Sequence, residues 1–186
     1  MKLLALQGSP RKNGNTSFLL DEYLKGITES NPKSEITKVY LQGKDIHYCN
    51  ACSVCHKVTI GKCVIKDDMQ ELYAEFIKSE MIVCATPVYW WGVSAQLKTF
   101  LDRLNAFDVE GENYFKGKKI SVLLTYGIEP PNKGPELIEA GFKEICKYTE
   151  MNLIDVYGVC SSKYSHIKED TSALNKVYEM GLKITL

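Results

Sequence analysis

The chain has 186 residues, 45 % of them hydrophobic and 25 % charged, and its 23 basic residues balance 23 acidic ones. That length suits one domain, here residues 1–186, with a sizeable core. The cancelled charge excludes the global field that draws proteins to nucleic acid or to anionic membranes.

The first apolar run, Leu3-Leu4-Ala5-Leu6, begins at the N-terminus with no targeting pattern before it. No run is long enough to cross a bilayer, so the expected location is cytoplasmic. The run ends in Gly8-Ser9-Pro10-Arg11-Lys12-Asn13-Gly14-Asn15-Thr16, the composition of a buried parallel strand turning into a loop. Phe18, Leu19, Leu20, Tyr23, Leu24 and Ile27 then recur at helical spacing. Strand, polar loop and helix in that order aim backbone N–H groups and the positive end of a helix at one point, which suits a phosphate. Ser9, Asn15, Thr16 and Ser17 add donors, and Arg11 and Lys12 add charge. The competing reading is a tight turn with Asn15 or Thr16 as helix cap. Neither the dinucleotide G-x-G-x-x-G nor the nucleoside-triphosphate G-x-x-x-x-G-K-[ST] is present.

Four more β-rich apolar runs follow, at 36–41, 81–85, 120–125 and 153–159. Helical stripes lie between or after them: Met69, Leu72, Phe76 and Ile77; Leu97, Phe100, Leu101 and Leu104; Ile138, Phe142 and Ile145; Leu174, Val177, Tyr178, Gly181 and Leu182. Strands alternating with helices predict a parallel sheet covered on both faces. Five of each fit a doubly wound α/β domain of the flavodoxin-like order 2-1-3-4-5, with its ligand beyond the carboxyl ends of strands 1 and 3. One segment breaks the alternation: roughly 25 residues, 42–66, separate strand 2 from its helix, and connections that long are usually functional or disordered.

The switch-point rule sets the loop after strand 3 beside the first one. Its Tyr89-Trp90-Trp91 run suits a flat aromatic ligand, with Pro87 and Gly92 shaping the turn; for Trp91 a core or interface position competes. Together the two loops predict a phosphorylated, flat cofactor. The 8–16 motif and Pro87-Val88-Tyr89-Trp90-Trp91-Gly92-Val93-Ser94-Ala95-Gln96-Leu97-Lys98-Thr99-Phe100-Leu101-Asp102-Arg103 resemble the two signature regions of the NADPH-dependent FMN reductase family, whose flavodoxin-like members include iron–sulfur flavoproteins and quinone reductases. The resemblance covers most of the chain in element order and weakens after Thr125. It implies that Ser9, Arg11, Asn13, Asn15 and Thr16 hold the FMN phosphate. Pro87, Tyr89, Trp90 and Gly92 would border the isoalloxazine, with Tyr126 and Gly127 as a third, less distinctive flavin loop.

Seven cysteines are many for a reducing compartment. Four of them, Cys49, Cys52, Cys55 and Cys63, fall within fifteen residues of the long 42–66 connection. That spacing can surround one cluster or one tetrahedral ion, and by resemblance it is where iron–sulfur flavoproteins carry a 4Fe–4S cluster. Zinc, an unligated hairpin and disulfides are the competing readings. Cys84, Cys146 and Cys160 read as packing residues. The histidines at 47, 56 and 166 are assigned no role, and Asp67 reads as the cap or first-turn anion of the next helix. No hydrolytic motif is visible.

The expected function is therefore electron transfer by non-covalent FMN, with no catalytic side chain, because the flavin carries the chemistry. An oxidoreductase would pass electrons from NAD(P)H or ferredoxin to a flavin, quinone or similar acceptor, with a homodimer as the expected assembly. A flavodoxin-type electron carrier without a small-molecule substrate, or a redox sensor built on the cysteine loop, are the alternatives.

Overall fold

The protein is described by a computed structural model over residues 1–163 and 166–185. Five parallel strands form its sheet: β1 (Lys2–Gln7), β2 (Glu35–Tyr40), β3 (Met81–Pro87), β4 (Lys119–Tyr126) and β5 (Asn152–Cys160). Their order is β2-β1-β3-β4-β5, the flavodoxin-like 2-1-3-4-5 arrangement expected from the sequence. The apolar runs were visible because central parallel strands are buried on both faces and so lack a polar alternate; every residue of β3 is buried.

Successive side chains leave the strands on opposite sides, and each side meets its own helices. Leu4, Leu6, Ile82 and Cys84 pack with α2 (Met69–Lys78), α3 (Ala95–Arg103) and α4 (Gly134–Thr149) through Phe76, Phe100 and Phe142. Leu3, Ala5, Val83 and Ala85 pack with α1 (Asn15–Ser30) and α5 (Thr171–Leu182) through Leu19, Tyr23 and Val177. Five helices were expected and these five are found. Unforeseen were a single helical turn at Val54–Lys57 and a small hairpin pairing Asp108–Val109 with Glu112–Asn113.

Helices α1 and α5 cross at two glycines. A Cβ on Gly181 would sit 2.3 Å from the Tyr23 carbonyl oxygen, and one on Gly26 would sit 2.2 Å from that of Tyr178. Both neighbours are backbone and cannot step aside, so the helices must part. Gly181→Ala is therefore expected to lower stability by roughly 1–3 kcal/mol through overpacking, although alanine is the better helix former. A urea midpoint no lower than that of the parent would contradict this crossing.

Candidate functional site

Both signature loops emerge at the carboxyl edge of the sheet and are pinned to one another. Gly8 donates its N–H to the Ala85 carbonyl at 2.7 Å, and its own carbonyl accepts the Ser94 hydroxyl at 2.6 Å. Ser94 is also the N-cap of α3, accepting from the Leu97 N–H. A Cβ on Gly8 would lie 2.9 Å from the Ser94 hydroxyl and 3.2 Å from the Ala85 oxygen, so this approach requires glycine. Within the first loop, buried Gln7 donates to the Arg11 and Lys12 carbonyls, and the Ser9 hydroxyl accepts the Arg11 N–H. The Tyr40 hydroxyl, from β2, donates to the Pro10 carbonyl at 2.6 Å.

Helix α1 starts behind Gly14, and no side chain caps it. The competing reading of Asn15 or Thr16 as the helix cap is thereby corrected. Asn15 accepts the Ile167 N–H through its side-chain oxygen, which leaves its amide N–H groups for a ligand. The Thr16 hydroxyl lies 2.7 Å from that of Thr125 on β4; with Thr125 donating, Thr16 keeps its own hydrogen for an acceptor in the cleft. The uncapped helix end supplies further N–H groups and its dipole.

These residues line a cleft of about 490 Å³, within the range that holds small ligands. Its walls include Ser9, Arg11, Asn13, Asn15 and Thr16 from the first loop, Pro87 and Tyr89 from the second, and Tyr126 and Gly127 from the third. An adjoining, more apolar hollow of about 270 Å³ shares Val88, Tyr126 and Gly127 and adds Trp90, Trp91 and Ile128. All the expected cofactor residues except Gly92 thus border one of two continuous depressions. Thr125, Ser161 and His166 also line the cleft and were not picked out beforehand. Ser161 and His166 come from the connection after β5, which has no distinctive pattern.

Gly92 has another task. It exchanges two backbone hydrogen bonds with Tyr89, both 2.9 Å, closing a two-residue turn around Trp90 and Trp91. The residues with positive φ are the tryptophans, at 47° and 60°, as in the turns that reverse a tight hairpin. Large side chains held in that region carry strain, which tends to be retained at functional sites. Trp90 is 92 % exposed and Trp91 51 %, so the core position considered for Trp91 is not found. Trp90→Ala is accordingly expected to leave stability within about 0.5 kcal/mol of the parent while changing flavin affinity or absorption. A large fall in apo-protein melting temperature with normal flavin binding would reverse that assignment.

The cysteine loop stands apart from this cleft. Cys49 and Cys52 are exposed, Cys55 and Cys63 are half-buried against the core, and all four thiols are free. Ala51 and Ser53 flank Cys52 with φ of 55° and 58°, a second concentration of backbone strain. Burial pushes the Cys55 thiol up, and the nearby thiols of the loop push it further. Among the described residues no trio of histidine, cysteine or acidic side chains is gathered closely enough to hold a metal ion. The donor set, four free thiols on a short strained loop, fits a thiolate-bound centre in its chemistry. Cys84 and Cys146 are core residues, the former thiol pushed up to about 12 by burial. Cys160 is only partly buried.

Asp67 does accept the Met69 N–H at the start of α2, as expected of a helix-start anion. Its larger role was not foreseen: its carboxylate takes the His47 N–H at 2.9 Å and two bonds from the Arg103 guanidinium at 2.5 and 3.2 Å. Both side chains are enclosed, at 1 % and 0 % exposure for Arg103 and Asp67.

A doubly wound sheet with a polar, donor-rich loop and an aromatic turn meeting at its switch point defines a flavodoxin-like protein with a nucleotide-type cleft. The chain belongs to the NADPH-dependent FMN reductase family, whose model matches residues 1–132. It is similar to an iron–sulfur flavoprotein of Archaeoglobus fulgidus, at 43 % identity over 104 residues, 56 % of this chain and 46 % of that protein. An iron–sulfur flavoprotein of Methanocaldococcus jannaschii matches at 39 % over 103 residues, 55 % of this chain and 51 % of that protein. The chain thus spans about half the length of the curated relatives it matches. Among solved structures, an azoreductase of Bacillus anthracis superposes with a TM-score of 0.72 at 16 % identity, covering 99 % of this chain and 100 % of that one, a likeness of fold. No helix among the described residues is long and apolar enough to cross a membrane.

Proposed function

We propose that this chain is a single FMN-binding domain that transfers electrons as an NAD(P)H-dependent flavoprotein oxidoreductase. The observation that carries the reading is the convergence of three loops on one cleft, with an uncapped helix end at its polar side and exposed aromatic rings at its apolar side. Ser9, Arg11, Asn13, Asn15 and Thr16 hold the FMN phosphate; Pro87, Tyr89, Trp90, Gly92, Tyr126 and Gly127 frame the ring. Bound FMN supplies hydride and single-electron chemistry, and the protein binds, orients and shields it. The electron donor is NAD(P)H or a ferredoxin, and the acceptor a flavin, a quinone or a similar molecule.

The similarity to archaeal iron–sulfur flavoproteins and the four free thiols of Cys49, Cys52, Cys55 and Cys63 on one short loop support a 4Fe–4S cluster on the loop at residues 42–66. Thiolate ligation by four cysteines suits such a centre. The exposed Trp90 and Trp91 rings leave an apolar tip that a two-fold homodimer would cover. Protein purified without oxygen tests the reading: bound FMN and steady oxidation of NADH or NADPH with a quinone support it. Flavin-free protein that fails to take up added FMN would overturn it, and bound FMN with no turnover would favour the electron carrier.

A further inference from the structure

Arg103 is the last residue of α3 and closes the 87–103 signature segment, at the end away from the flavin cleft. Yet it is among the largest fully buried side chains of the molecule. Its guanidinium reaches two points that bracket the cysteine loop. Nη1 donates to the His47 carbonyl at 2.7 Å, two residues before Cys49, and the fork grips Asp67, four residues after Cys63. The Asp67 carboxylate itself accepts the His47 N–H, so the two ends of the loop are bound to each other and to Arg103. The Tyr73 hydroxyl donates to the Arg103 carbonyl at 2.8 Å and fixes the helix end.

One donor is left over. Arg103 Nε is buried without a partner among the described residues, and buried donors are seldom left so without a reason. Cys63 is half-buried against the core cluster that contains Tyr73. At its other end, α3 begins at Ser94, whose hydroxyl holds the Gly8 carbonyl of the flavin cleft.

We propose that Arg103 is the positioning residue of the cysteine loop: its fork clamps residues 47 and 67 and so fixes both ends of the segment that carries the four thiols. Helix α3 is then a strut with the flavin cleft fixed at one end and the thiol set at the other. Outer donors of this kind orient ligands and tune the centre they hold. Lysine cannot replace arginine here, because it carries no fork. The clamp concerns the chain itself; its bearing on iron rests on the cluster reading above.

The test compares the full-length parent with Arg103→Lys and Asp67→Asn, purified and reconstituted without oxygen. Expected in Arg103→Lys are FMN affinity within twofold of the parent, iron and sulfide content at least fivefold lower, and an altered resonance spectrum of whatever reduced cluster remains. Trypsin, followed by mass spectrometry, should cut after Lys57 or Lys62 at least tenfold faster, with Asp67→Asn intermediate. Unchanged iron and unchanged cleavage in both variants would overturn the proposal. So would FMN loss in parallel with loop cleavage, which would make Arg103 a general core residue. If the parent itself takes up no iron, the cluster reading fails, and the cleavage rates alone decide the clamp. If Arg103→Lys does not fold, Asp67→Asn decides by the same readouts.

Discussion

Asp67→Ala is expected to lower stability by about 3–5 kcal/mol, the cost of leaving a buried charge without its partner. The Arg103 guanidinium is 1 % exposed and would lose both bonds of its fork. The His47 and Met69 N–H groups would lose their acceptor at the same time. Denaturant unfolding followed by circular dichroism measures the effect, and a loss under about 1 kcal/mol, in the range of an exposed pair, would show that the pair is not enclosed. The pH dependence has a defined sign. Burial pushes the Asp67 carboxyl up, but the hydrogen bonds from Arg103 and the His47 N–H outweigh it and hold the group below the usual carboxylate range. A carboxyl depressed in the folded state stabilises the protein fully above its unfolded value, near 4, and that contribution disappears as pH falls through the folded value. The parent should therefore lose stability below about pH 4 more steeply than Asp67→Ala does.

The second large effect lies in the polar half of the cleft. Thr16→Ala is expected to weaken FMN tenfold or more, since a hydrogen bond to a charged group contributes about 1.5–3 kcal/mol and each 1.4 kcal/mol is a decade. The Thr16 hydroxyl also meets Thr125 at 2.7 Å, so loss of that internal bond must be separated from loss of a phosphate donor. Thr125→Val removes the internal partner, though Thr125 also borders the cleft, and should weaken FMN less than Thr16→Ala does. Equal losses would place the role of Thr16 in the protein rather than on the phosphate.

The sheet was legible in the sequence because its strands are buried on both faces, so they appear as short unbroken apolar runs such as 81–85. The polar loop was legible because Gly8, Ser9, Gly14 and Asn15 form a local pattern. What escaped reading depends on partners far apart in the chain. Asp67 and Arg103 lie 36 residues apart, Thr16 and Thr125 lie 109 apart, and neither pair leaves a local trace. Gly26 and Gly181 meet across two helices, and the sequence stripe identified only the second. The turn at residues 89–92 was visible as a turn from its Gly92, but the strain it holds was not. Positive φ falls on Trp90 and Trp91, residues with no preference for it, and only the closing bonds between Tyr89 and Gly92 impose it.

On the proposed function, the cleft between residues 8–16, 87–92 and 125–127 takes FMN by its phosphate as well as by its ring. The most direct measurement is the titration of apo-protein with FMN and, separately, with riboflavin, followed by quenching of flavin fluorescence. The two ligands share the ring and the ribityl chain and differ only in the phosphate. Two or more charge-assisted bonds at about 1.5–3 kcal/mol each predict one FMN per chain and riboflavin at least a hundredfold weaker. Equal affinity for the two would contradict the placement of the phosphate at the head of α1.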